Sequence, residues 1–124
     1  MINNMREEIK NWWKQAKDDL GKAKILFNNR KYDGAAFFCQ QAVEKSLKAL
    51  SLKKFNKIRR IHDLVELGKD VKLPDDLLDK AKELTQAYIY SRYPDIGRVR
   101  NIKGVANNFM KYAGEILKWV KKNL

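Results

Sequence analysis

Tyr32–Leu50, YDGAAFFCQQAVEKSLKAL, reads as a helix whose two sides are made for different neighbours. With successive side chains about 100° apart, Ala35, Ala36, Phe38, Cys39, Ala42, Val43, Ser46, Leu47, Ala49 and Leu50 fill roughly half of its circumference. So broad an apolar face suits a helix at the centre of a bundle, touched by several others. Gln41, Glu44, Lys45 and Lys48 share a narrow stripe on the opposite side, with Gln40 at its edge. Phe37 and Leu52 project toward the same stripe, which argues against a simple solvated surface. Two readings fit. Glu44 and Lys48, at i and i+4, form an ordinary helix-surface pair worth a few tenths of a kcal/mol, or the stripe lines a polar cleft or a self-complementary dimer seam.

Working outward, the spacing of Ile9, Trp12, Trp13, Ala16, Leu20, Ala23 and Phe27 predicts a helix from about Asn4 to Asn28. Asp33 is the expected N-cap of the central helix, which should run to about Lys53. Residues 53–60, KKFNKIRR, form a basic connection with five positive charges and no acid. A short helix is expected from about Asp63 to Lys69, with Gly68 at its end. Pro74 suits a first helical position, and Asp75 and Asp76 sit where the helix dipole favours negative charge. That helix should reach about Ile89. Residues 90–100, YSRYPDIGRVR, then read as a connection, because Pro94 biases Tyr93 away from helical geometry. A last helix follows from near Asn101 to near Lys122, its apolar step held by Ile102, Val105, Ala106, Phe109, Ala113, Ile116, Leu117 and Val120. No hairpin signal or internal repeat interrupts this outline. The expectation is one all-α domain over residues 1–124, a compact up-and-down bundle of four long helices plus one short one.

Composition narrows the chemistry. The sequence holds 27 Lys and Arg against 15 Asp and Glu, a net charge of +12, which attracts nucleic acid, nucleotides or an acidic protein. A lysine-rich solvated surface explains the same total, so placement has to decide. Cys39 and His62, each the sole residue of its type, cannot supply a closed site of soft metal ligands, and no cofactor is expected. No apolar run is long enough to span a membrane. MINNMREEIKNWWK lacks the apolar stretch of a signal peptide. A single cysteine fits a reducing compartment, so a cytoplasmic location is expected.

Three blocks occur in a familiar order. Tyr32–Leu50, with Gln40-Gln41-Ala42, Glu44-Lys45 and Lys48-Ala49-Leu50, resembles the long second helix of HEPN domains (higher eukaryote and prokaryote nucleotide-binding). His62-Asp63-Leu64 with Leu67 is similar to the family's short following helix, and Arg92-Tyr93-Pro94-Asp95 to its Arg-Tyr-Pro-Asp loop. The resemblance implies a fold like the helical domain of kanamycin nucleotidyltransferase, usually paired as a homodimer. It also implies a minimal nucleotidyltransferase partner, frequently in a toxin–antitoxin pair.

Many HEPN toxins cleave RNA with an Arg followed four to six residues later by a His, commonly at the start of the last helix. Here Lys57, Asn56 and Phe55 occupy the positions four to six before His62, and Arg59 and Arg60 are too close to match. The departure counts against cleavage by that motif. His62 remains a candidate acid or base, or else it starts or caps the short helix. The leading expectation is therefore a non-enzymatic module that binds nucleotide or nucleic acid. Its candidate contacts are Lys45 and Lys48 on the stripe with Arg92, Tyr93 and Asp95 on the loop: cations for phosphate and a ring for stacking. The same loop residues could instead anchor the loop on the core. Two alternatives stand beside this reading: an RNase toxin with an altered site around His62, Arg92 and Arg59, or a protein-interaction scaffold. Trp12, Trp13 and Trp119 read as core and interface residues.

Overall fold

The computed structural model describes the backbone of residues 2–92 and 101–124, and the side chains of residues 6–86 and 101–124. Among the described residues five helices follow one another and no strand occurs: α1 (Ile2–Asn28), α2 (Tyr32–Phe55), α3 (Leu64–Asp70), α4 (Asp75–Arg92) and α5 (Ile102–Asn123). The all-helical bundle read from the sequence is the fold observed, and α2 is its hub, packing against all four other helices. Its apolar half supplies Val43, Leu47 and Leu50, which meet Ala16 and Ala23 of α1, Leu64 and Leu67 of α3, Leu84 of α4, and Ile116 and Val120 of α5. Cys39 lies in the same core. Burial pushes its thiol up to about 12, so the sulfur packs as an apolar atom and is no nucleophile.

The helix ends differ from expectation in instructive ways. Lys31, not Asp33, is the N-cap of α2, and no side chain caps it; Asp33 falls in the first turn, where its charge still meets the dipole. At its other end α2 continues through Phe55, so Lys53 and Lys54 of the basic segment are helical. The chain leaves at Asn56, whose φ of 57° is left-handed, a conformation that asparagine tolerates. The helix α4 runs on to Arg92 rather than stopping near Ile89.

The ends of α1 and α3 share one device. Lys31 N–H donates to Leu26 O at 2.8 Å and Arg30 N–H to Phe27 O at 3.0 Å; Leu73 N–H donates to Gly68 O at 2.9 Å and Lys72 N–H to Lys69 O at 3.1 Å. Both are the reversal in which a left-handed residue lets two amides satisfy the last carbonyls, and Arg30 (φ 62°) and Lys72 (φ 61°) fill the position that glycine usually takes. Gly68 therefore does not end α3. It sits inside it because a Cβ there would lie 2.8 Å from Leu78 Cδ2 and 3.0 Å from Leu73 Cδ2. The absent side chain is what lets α3 approach α4. Asp63 caps the start of α3, its carboxylate accepting from the amides of Val65 and Glu66.

Candidate functional site

The polar stripe of α2 is covered by α1. Along the antiparallel α1–α2 hairpin, Asp19 meets Lys45 at 2.6 Å and, two turns back along α1, Trp12 lies with its ring centroid 5.7 Å from Lys48 Nζ. Glu44 and Lys48 are thus not an exposed pair. Their side chains are 6% and 8% accessible, and Lys48 Nζ donates to Glu44 Oε2 at 3.2 Å. A buried ion pair must satisfy its remaining hydrogen-bonding capacity or cost stability. Glu44 does so with His62, whose Nδ1 lies 3.0 Å from Oε1, while Gln40, itself oriented by Gln41, approaches the same oxygen at 3.5 Å.

His62 reaches Glu44 because the connection after α2 folds back over the helix. Several contacts hold it there: Ser51 Oγ donates to Lys57 O at 3.3 Å, Lys54 Nζ to Val71 O at 3.4 Å, and Arg59 to both carboxylate oxygens of Asp70 at 3.0 Å. From Ile58 onward, alternate residues of the connection divide between two neighbours. Asn56, Ile58, Arg60 and His62 line a cleft of about 540 Å³. Arg59 turns to Asp70, and Ile61 packs on the core.

The far wall of the cleft is Trp12 and Glu8 of α1, and its floor is Lys48 and Leu52 of α2. Lys57 joins the lining. Cleft charge is therefore lopsided: Lys48, Lys57 and Arg60 face a single lining carboxylate, Glu8, with Glu44 beneath and already matched by Lys48. Among the described residues neither Lys57 nor Arg60 has an ion-pair partner, whereas Arg59 beside them is fully engaged. Such a wall can hold an anion against an aromatic ring, with an imidazole oriented by a carboxylate at its edge.

Of the residues singled out from sequence, Lys48 and His62 come together in this cleft, with Glu44 between them. Lys45, a stripe neighbour, is committed to Asp19 instead. His62 does not cap α3; that role falls to Asp63. Arg92 ends α4, but its side chain, together with Tyr93 and Asp95, lies outside the described residues. Trp12, Lys57 and Arg60 were not individual candidates. The signal for them was present only in part, as an adjacent tryptophan pair and a basic segment. The pair itself divides, Trp13 packing on the core and Trp12 facing the cleft. No group of His, Cys, Asp and Glu placed to hold a metal ion occurs among the described residues, and no helix among them is long and apolar enough to cross a membrane.

The five helices of the described residues form a small helical bundle of a recognisable class. The chain belongs to the HEPN domain family, whose model matches residues 9–123. It is similar to TT1696 from Thermus thermophilus, with 30% identity and a TM-score of 0.84, covering 94% of this chain and 98% of that one. An archaeal HEPN homologue, ST0689, is 32% identical with a TM-score of 0.77, over 92% and 95% of the two chains. A HEPN domain protein from Thermotoga maritima, at 24% identity and a TM-score of 0.73 over 90% and 95%, shares the fold. Among curated proteins nothing matches the chain.

Proposed function

We propose that this HEPN protein is a non-enzymatic module that binds a nucleotide, free or within a nucleic acid, in the cleft between α1, the C-terminal half of α2 and residues 56–62. The observation that carries the reading is the pair Lys57 and Arg60, cations without ion-pair partners among the described residues, set beside Lys48 and the Trp12 ring. An arginine fork suits phosphate bidentately, and an indole offers a stacking face to any base. A volume of about 540 Å³ lies in the range of small-ligand sites. The net charge of +12 adds long-range attraction for polyanions. Arg92, Tyr93 and Asp95 stay candidate nucleotide contacts on their sequence alone. The protein works as a homodimer with a minimal nucleotidyltransferase, in a toxin–antitoxin setting, the arrangement that its HEPN features imply. Purified protein should bind AMP or a short RNA with an affinity that falls as salt rises. Replacing Lys57 and Arg60 together by Glu should weaken that binding at least about tenfold, the worth of one lost charge-assisted hydrogen bond. Binding indifferent to both salt and the substitutions would sink the proposal.

One observation favours a second reading. The 3.0 Å contact between Glu44 and His62 orients an imidazole at the edge of a cationic cleft, the pairing of base and cation that metal-independent RNA cleavage needs. Metal-free protein would then cleave RNA, and His62→Ala would abolish the cleavage. Cleavage untouched by that substitution removes His62 from any such mechanism.

A further inference from the structure

In its neutral form, His62 offers the cleft a hydrogen-bond acceptor that a phosphate cannot satisfy. A neutral imidazole has one nitrogen that donates and one that accepts. A carboxylate offers only acceptor oxygens, and Glu44 presents Oε1 at 3.0 Å to His62 Nδ1 while Lys48 sits on Oε2 at 3.2 Å. The ring hydrogen therefore belongs on Nδ1, and Nε2 is the acceptor, on a side chain that is 69% accessible and lines the cleft. Phosphate oxygens match Lys57 and Arg60, but being acceptors themselves they leave Nε2 unmatched. A ligand that fits the whole wall must bring an anion and, close to it, a hydroxyl or N–H donor. Arg60 and His62 fall on the same side of the connection two residues apart, a span of roughly 6–7 Å in extended chain. That is about the reach of one sugar.

Building on the nucleotide-binding reading, we propose that His62 Nε2 accepts a hydrogen bond from a sugar hydroxyl, so that the cleft selects nucleotides with an intact ribose diol. Glu44 is the positioning residue that fixes the tautomer, and Lys57 and Arg60 hold the phosphate. The ligand class this defines is a ribonucleotide, recognised by phosphate and hydroxyl together.

Calorimetric titration at pH 8 tests this with two probes that share base and phosphate: AMP and 2′,3′-dideoxyAMP. AMP should bind about three- to tenfold more tightly, the effect of one net hydrogen bond. His62→Phe keeps a ring but no acceptor, at a position too exposed to threaten folding. It should bring the ratio to about one while leaving the affinity for 2′,3′-dideoxyAMP unchanged. Equal binding of both probes to the native protein overturns the inference and leaves the nucleotide-binding reading standing. A preference that persists in His62→Phe moves the hydroxyl contact away from His62 and overturns the assignment. Failure of both probes to bind overturns both readings at once.

Discussion

Two carboxylates are buried along the α1–α2 hairpin, and each meets a lysine, yet they are built for different ends. Asp19 and Lys45 close on one another at 2.6 Å, with Asp19 3% accessible and Lys22 3.7 Å away as a second cation. Glu44 and Lys48 lie at 3.2 Å, and the same carboxylate takes His62 from a different element and borders a cleft. The Asp19 pair joins two helices. The Glu44 pair carries a third group whose remaining nitrogen nothing on this chain's described residues engages. Burial of charge is costly in both places, and only at Glu44 does the cost come with an exposed imidazole. That contrast separates a structural ion pair from a candidate site better than burial or charge does alone.

The sharpest way to break the comparison is Glu44→Ala. It leaves Lys48 buried without its anion and should cost about 3–5 kcal/mol in chemical denaturation; a loss below about 1 kcal/mol would mean that Lys48 escapes to water and the network is loose. Lys45→Ala should cost less, about 1–3 kcal/mol, because Lys22 remains near Asp19. Since that pair lies outside the cleft lining, nucleotide affinity of the folded variant should not change; a parallel loss of affinity would erase the distinction drawn above. Smallest of all is the stability effect of His62→Phe, about 1 kcal/mol, because the His62 side chain is largely exposed and Gln40 still approaches the Glu44 oxygen that it leaves. A large drop in melting temperature for that variant would turn His62 into a structural residue and dissolve its separation from Lys45.

Helix identity was legible because apolar residues at three- and four-residue steps leave few alternatives, and the central helix announced its position through an apolar arc too wide for a surface helix. Its ends were less legible. Lys31, Arg30 and Lys72 occupy cap and reversal positions for which their side chains carry no preference, so tertiary packing decided what local chemistry did not. The site was visible in pieces. A helical wheel puts Glu44, Lys45 and Lys48 on one stripe but does not say which neighbour covers each, and here Asp19 captured one while Trp12 and His62 met the others. Glu44 and His62 are 18 residues apart, and no local periodicity links a helix interior to an irregular connection.

The alternation of residues 58–62 makes the end of that connection a matter of parity. From Ile58 to His62 the even-numbered residues face the cleft, while Arg59 and Ile61 serve α3 and the core. Since a shift by one residue in an extended segment sends every side chain to the other side, a single-residue deletion near Lys57 would exchange the duties of Arg59 and Arg60. A two-residue change would preserve them and alter only the reach. Length variation just before Ile58 should therefore be tolerated in steps of two and penalised in steps of one, a counting rule imposed on evolution by five residues of loop.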